Sequence, residues 1–287
     1  MDSPRPGRVV VQRPARVAGH PRPSGGKMSV FGGTETTDVT YCLGLLMEAG
    51  LVLAADSRTN AGVDYVSSYR KVFDFSMPGE RVVFILTSGN LSITQSVINL
   101  LRQDLHKEGE SLHTMPTMFS VCRYIGHKVR QVEQQDRPVL EKDRIDFHVS
   151  LIVAGQIKGE EPALYLVYTQ GNFIQATEET PFVQIGETKY GKPILDRAFN
   201  YRSSLKIAAL CSLLSMDSTM ISNLSVGSPV DLLVYERDTF RIAQSCRLQE
   251  NDPFWVEMRR AWQQSLQNAF HNLPNIPFAF MPDPSRL

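Results

Sequence analysis

The sequence predicts an α+β fold of two mainly antiparallel β-sheets packed together, each covered by a pair of helices. Two observations predict it. Elements arrive in blocks (strands, two helices, strands, two helices, strands), whereas a doubly wound parallel sheet has one helix per strand. The strand segments are short apolar runs closed by glycine or turn residues, and the helical segments carry apolar residues three and four apart. The 287 residues, 42% hydrophobic and 21% charged, have the composition of an ordinary globular protein. That length fits one large domain or two small ones.

The elements follow in order. Thr40–Met47 and Leu51–Ala55 read as a strand pair ending in Asp56-Ser57-Arg58. Arg81–Leu86 is a strand that stops at Thr87-Ser88-Gly89-Asn90. Ile93, Val97, Leu100, Leu101 and Leu105 mark one helix, and Met118, Cys122, Ile125, Val129 and Val132 a second. Phe147–Ile157, Ala163–Tyr168, Phe173–Ala176 and Phe182–Ile185 are strands punctuated by Gly155, Gly171 and Gly186. Helices near 189–199 and 204–215 precede the strands Asp231–Glu236 and Thr239–Gln244. Trp255, Met258, Trp262, Leu266 and Phe270 form one apolar face of a C-terminal helix, which packs on its own domain or contacts another subunit. The tail beyond Pro274 is irregular.

Residues 1–39 differ from the rest. Five prolines alternate with arginines between Pro4 and Pro23, so the segment lacks the apolar surface to offset its ordering entropy and is expected to be disordered. Val9-Val10-Val11 is too short for the apolar core of a secretory signal. The expected layout is an extension over 1–39, a folded domain over 40–250, and a helix with a tail over 251–287. Lys+Arg and Asp+Glu number 30 each, so no net field favours nucleic acid or an anionic membrane. No uncharged apolar run approaches the about 18 residues of a membrane helix. Cys42, Cys122, Cys211 and Cys246 are scattered without metal-ligand spacing, which suggests a reducing cytoplasm and no metal or other cofactor.

The chemistry gathers at strand ends. Thr40 heads a buried strand, Asp56 ends the next, and Lys71 follows one loop later. Singly, each has a plain reading as a strand threonine, a turn acid and a solvated lysine. Together they suit a nucleophile that is its own N-terminal residue. A free α-amine on Thr40, with a pKa of roughly 7.7–8.0, can take the hydroxyl proton and return it. Lys71 would lower that pKa and Asp56 would hold Lys71. The Ser88-Gly89-Asn90 turn offers a backbone N–H to a developing oxyanion.

Thr40-Tyr-Cys-Leu-Gly-Leu, Gly50-Leu-Val-Leu-Ala-Ala-Asp-Ser-Arg-Thr-Asn-Ala-Gly62 and Tyr69-Arg-Lys71 resemble the proteasome β-subunit superfamily of N-terminal nucleophile hydrolases. Ser215–Met220 and Asn223–Gly227 are similar to its bacterial proteasome-like Anbu (ancestral β subunit) family. The resemblance implies a four-layer αββα sandwich and a threonine peptidase that cleaves peptides or unfolded proteins and self-associates into rings or helical turns. The chain has no nucleotide motif, so any energy input, such as that of an ATP-driven unfoldase, must come from a separate partner. It also implies roles: Thr40 as nucleophile and base, Asp56 and Lys71 behind it, Gly89 as oxyanion donor, and Asp217 fixing the amine. The superfamily turn Gly-Ser-Gly-Gly reads Gly186-Glu-Thr-Lys189 here, so Glu187 replaces the serine near the amine; Ser218 or Ser222 stands for the serine after Asp217. Val39 replaces the usual glycine before the nucleophile. Exposure of Thr40 therefore calls for autocatalytic removal of a propeptide or for translation starting at a GTG codon 39. A non-catalytic assembly subunit and a small-amide amidase are the alternatives.

Overall fold

The computed structural model describes residues 40–60 and 66–274; the expectations for 1–39 and for the tail after 274 lie outside them. The first two strands are β1 (Tyr41–Met47) and β2 (Gly50–Asp56). Alternate residues of β1 enter different cores. Tyr41, Leu43, Leu45 and Met47 face one hydrophobic cluster, and Cys42 and Leu46 face another. A strand's period of two makes that division, and burial on both faces places β1 inside the molecule.

The chain continues with β3 (Arg58–Asn60), β4 (Val66–Ser68), β5 (Val72–Asp74) and β6 (Arg81–Gly89), then α1 (Leu91–Asp104) and α2 (Met118–Leu140). Next come β7 (Val149–Ile157), β8 (Ala163–Val167), β9 (Phe173–Gln175) and β10 (Phe182–Gly186), followed by α3 (Lys192–Ala198) and α4 (Leu205–Ser222). β11 (Val230–Glu236), β12 (Ile242–Leu248) and α5 (Pro253–His271) complete the described chain.

Two five-stranded antiparallel sheets result, ordered β10-β1-β2-β11-β12 and β5-β6-β7-β8-β9, with β3 and β4 paired separately. Val82, Phe84, Leu86, Ile152 and Leu164 of the second sheet meet Cys42, Leu51 and Leu53 of the first between the layers. Val83, Ile85 and Val153 point the other way, into α1 and α2. Tyr41, Leu43 and Val52 pack against α3, α4 and α5. The expected αββα sandwich is the observed architecture, and each fully buried large apolar side chain stabilises it by about 1.5–3 kcal/mol. Gly44 faces the second sheet at close range. A Cβ there would lie 2.7 Å from Leu164 Cδ1 and 3.2 Å from Ile152 Cγ2.

Several boundaries differ from the sequence expectation. The expected strand Thr239–Gln244 lies at Ile242–Leu248, because Asp238 and Phe240 adopt positive φ (63° and 48°) and lengthen the turn. α2 runs on to Leu140 with Pro138 in its last turn, and α4 runs seven residues beyond 215, to Ser222. β3, β4 and β5 hold three residues each, too few for a periodic signal. α4, with a mean hydropathy of 1.3, is long and apolar enough to cross a membrane by length and composition. Its Ala208, Cys211, Leu213 and Met216 are core residues, and it carries Lys206 and Asp217, as suits a helix lying between a sheet and α5. The apolar face of α5 divides. Trp255 and Met258 are buried in the domain core, whereas Phe270 is 72% exposed.

Candidate active site

Thr40 immediately precedes β1 and is only 7% exposed. The ladder that pairs Tyr41 with Gly186 continues one step, so the Glu187 N–H donates to the Thr40 carbonyl at 2.8 Å. Gly186 permits this approach: its φ is +81°, and a Cβ there would lie 1.9 Å from the Thr40 carbonyl oxygen. An L side chain fits neither the dihedral nor the space.

Asp56 ends β2, paired with Val230, and is fully buried. Lys71 lies just before β5, its carbonyl accepting from the Thr87 N–H of β6 at 3.0 Å. The pair therefore spans the sandwich, one partner from each sheet. Lys71 Nζ donates to Asp56 Oδ1 at 2.7 Å and to the Arg58 carbonyl at 2.8 Å. Asp56 Oδ1 also accepts from the Tyr41 N–H at 3.0 Å, while Oδ2 accepts from the Arg58 N–H at 3.2 Å and the Gly227 N–H at 3.3 Å. Burial pushes the Asp56 carboxyl above the ordinary range, and the Lys71 ammonium with the backbone donors pulls against it. An unpaired charge here would be costly, so the donors surround both oxygens. Burial likewise pushes the neighbouring Cys42 thiol up, making it a core residue.

Ser88 and Gly89 end β6 on the opposite sheet. Ser88 Oγ lies 3.3 Å from the position a Gly186 Cβ would take, beside the Thr40 carbonyl, and is buried without a hydrogen-bond partner among the described residues. Gly89 pairs with Val149 at φ +105°, and a Cβ on it would lie 2.4 Å from the His148 carbonyl oxygen. Asn90 then caps α1 through its side chain to the Ser92 N–H.

The structure thus brings Thr40, Asp56, Lys71 and Glu187 together, with the Ser88–Gly89 strand end alongside. Asp217 is placed differently. Its carboxylate, raised by burial and opposed by Arg259, pairs with the Arg259 guanidinium of α5. Ser218 and Ser222 lie with it along a groove of about 730 Å³ between α4 and α5, whose lining includes Arg58, Leu224 and Trp262. The residue from this end of α4 that reaches the Thr40 strand is Asn223, whose Nδ2 donates to Glu187 Oε2 at 3.1 Å. Sequence reasoning assigned Asn223 no role. It stands in the Asn223–Gly227 motif, but the motif says nothing of a partner 36 positions earlier. Gly227, in the same motif, was given no role for the same reason. A Cβ there would lie 2.2 Å from the Arg58 guanidinium carbon, so the Arg58 side chain covers the backbone that donates to Asp56.

No group of three or more His, Cys, Asp or Glu residues with metal-binding placement occurs among the described residues. The available chemistry is a hydroxyl, a buried ammonium–carboxylate pair and backbone donors. These can generate and stabilise an attacking oxygen once a base is supplied.

Comparison with known proteins agrees with that geometry. The family model of the proteasome subunit matches residues 38–234. A proteasome subunit beta of Haloquadratum walsbyi is 24% identical over 220 residues, spanning 75% of this chain and 80% of that protein. Among solved structures, the helical assembly of the Anbu complex from Pseudomonas aeruginosa is 46% identical, with a TM-score of 0.80 over 84% of this chain and 100% of that one. Anbu (ancestral beta-subunit) from Yersinia bercovieri is 43% identical, with a TM-score of 0.78 over 84% of this chain and 100% of its own. The chain belongs to the proteasome subunit family and, within it, to the Anbu group of β-type subunits.

Proposed function

We propose that the protein is a threonine peptidase of a bacterial cytoplasmic proteasome-like particle, active once Thr40 is its N-terminal residue. The observation that carries this reading is the buried Lys71–Asp56 pair, tied at 3.0 Å to the backbone of Tyr41, the residue that follows Thr40. A scaffold gains little from burying such a pair, because two packed apolar residues are often as stable or more so.

In this reading the free α-amine of Thr40 takes the proton from its own Oγ, which attacks the substrate carbonyl. Lys71 keeps the amine neutral near physiological pH, and Asp56 balances Lys71. The Gly89 N–H donates to the oxyanion. The C–N bond then breaks, the departing amine carries away the proton held by the Thr40 nitrogen, and an ester on Oγ remains. Water hydrolyses that ester and restores the hydroxyl. Self-association would place these sites within a shared ring or helical assembly, and the helical Anbu assembly from Pseudomonas aeruginosa supports that part. Unfolded substrate would come from a separate ATP-driven partner.

The test is hydrolysis of peptide amides by a chain starting Met-Thr40, whose methionine is removed in the cell, beside its Thr40→Ala variant. The described fold begins at Thr40, so both proteins retain every described element. Turnover should fall at least about 1,000-fold in the variant, the scale of removing a covalent nucleophile. Equal turnover rejects the assignment.

A further inference from the structure

Cleavage before Thr40 would leave the nucleophile at a chain end, restrained by the polypeptide from one side alone. Chain ends fray unless something ties them down. The residue that holds this end is Tyr41. Its N–H donates to Asp56 Oδ1 at 3.0 Å, and it pairs with Gly186 across the ladder to β10. The side chain is fully buried. Its hydroxyl meets Ser215 Oγ of α4 at 2.7 Å and accepts from Gln184 Nε2 of β10. With Gln184 donating to it, the phenol O–H is left to donate to Ser215. Burial pushes this phenol up to about 12, against the pull of both hydrogen bonds, so it keeps its proton at neutral pH. Gly191, just before α3, closes over the group: a Cβ there would lie 2.3 Å from Ser215 Oγ and 2.5 Å from Tyr41 Oη. Thus β1, β10 and α4 meet at one oxygen, one residue from the nucleophile.

We propose that Tyr41 is a positioning residue. Its hydroxyl, held between Ser215 and Gln184, pins the freed end of β1 and so fixes where the Thr40 hydroxyl meets a substrate carbonyl. The proposal rests on the peptidase reading above and adds a requirement to it. The other residues that β1 sends into this core, Leu43, Leu45 and Met47, are apolar. Their attraction is not directional, so it resists separation of the layers better than a small slide or tilt of the strand end. A fully satisfied buried hydrogen-bond network, by contrast, specifies one arrangement. Phenylalanine at position 41 would fill nearly the same space without the two bonds, and would leave Ser215 and Gln184 without their shared partner.

The experiment uses the chain beginning at Thr40. It compares Tyr41→Phe with the triple variant Tyr41→Phe/Ser215→Ala/Gln184→Met. Tyr41→Phe leaves two polar groups unpaired and should melt below the parent; the triple variant replaces both with apolar groups and should regain most of that loss. Three quantities are read: kcat and KM on a peptide amide, the melting temperature, and hydrogen exchange of residues 40–47 relative to that of β2. Both variants should lose about 10- to 100-fold in kcat with KM within about twofold, the scale of displacing a reacting group by up to about 1 Å. Relative exchange at 40–47 should rise about tenfold in both, the scale of a lost hydrogen bond at an opening strand end. A purely structural role has kcat and relative exchange return with the melting temperature in the triple variant. That result overturns the proposal, as does parent kcat in Tyr41→Phe. Should Tyr41→Phe fail to fold, the triple variant decides. Equal amide turnover by the parent and Thr40→Ala rejects the peptidase reading instead. The relative exchange then judges the pin by itself: a rise in the triple variant upholds it, and parent exchange removes it.

Discussion

Two aspartate–lysine pairs in this molecule have nearly equal bond lengths and carboxyls shifted in opposite directions. Asp56 and Lys71 meet at 2.7 Å between the sheets; Asp104, at the end of α1, meets Lys128 of α2 at 2.6 Å on the outer helical layer. Burial pushes the Asp56 carboxyl up. Burial acts the same way on Asp104 but is outweighed by Lys128, Tyr124 and Lys107, which hold its carboxyl down at about 2. The balance of burial against partners, not contact distance, separates the two. Asp104 is a structural pair whose three side-chain partners outweigh its burial, whereas Asp56 is kept charged at a cost to folding, the pattern expected where chemistry requires the charge.

The largest predicted effect comes from removing one partner of the inner pair. Lys71→Ala should destabilise the fold by about 3–5 kcal/mol at pH 7, because Asp56 is left buried and uncompensated. Urea unfolding measures it, and a loss below about 1 kcal/mol would mean that water already reaches the pair. Replacing both partners sharpens the contrast. Asp56→Asn/Lys71→Met should unfold within about 1 kcal/mol of the parent, or above it, while amide hydrolysis is abolished. A double variant as unstable as Lys71→Ala would assign the pair to folding instead.

The smallest predicted effect lies on the outer layer. Asp104→Asn should cost about 2 kcal/mol at neutral pH, the scale of a hydrogen bond to a charged group. The sign of its pH dependence follows from the lowered carboxyl. The stabilisation is full above the ordinary value of 3.8 and is lost as pH falls through about 2. The variant should therefore show a flatter acid limb in melting temperature over that window. Asp56, raised in the fold, contributes with the opposite slope: its favourable share is present below the ordinary carboxyl value and declines as pH rises.

Much of this arrangement was legible in the sequence. The strand pair ending in Asp56 was readable because β1 and β2 pair through a tight turn, and the block order of strands and helices gave the layers. Lys71 was within reach because it follows Asp56 closely in the chain, after the short β3 and β4 pair. Asn223 and Gly227 were not. Each acts on a partner far away in the chain, at a distance that only the packing of α4 and β11 against β2 decides. Asp217 shows the converse. The motif suggested a place near the amine, yet the side chain pairs with Arg259, a residue brought in by α5, beyond the residues 38–234 that the family model matches. The α5 face read as one stripe, but Trp255 and Met258 sink into the core and Phe270 does not, since only the first half of the helix lies over the domain.

Gly44 has a consequence far from its own position. The nucleophile's strand and Asp56 belong to one sheet; Lys71, Ser88 and Gly89 belong to the other. Interlayer thickness is therefore a chemical variable as well as a mechanical one. A methyl group added at Gly44 would press on the Leu164 and Ile152 side chains of the opposite sheet, so any separation it forced would reach the ion pair that joins the two layers.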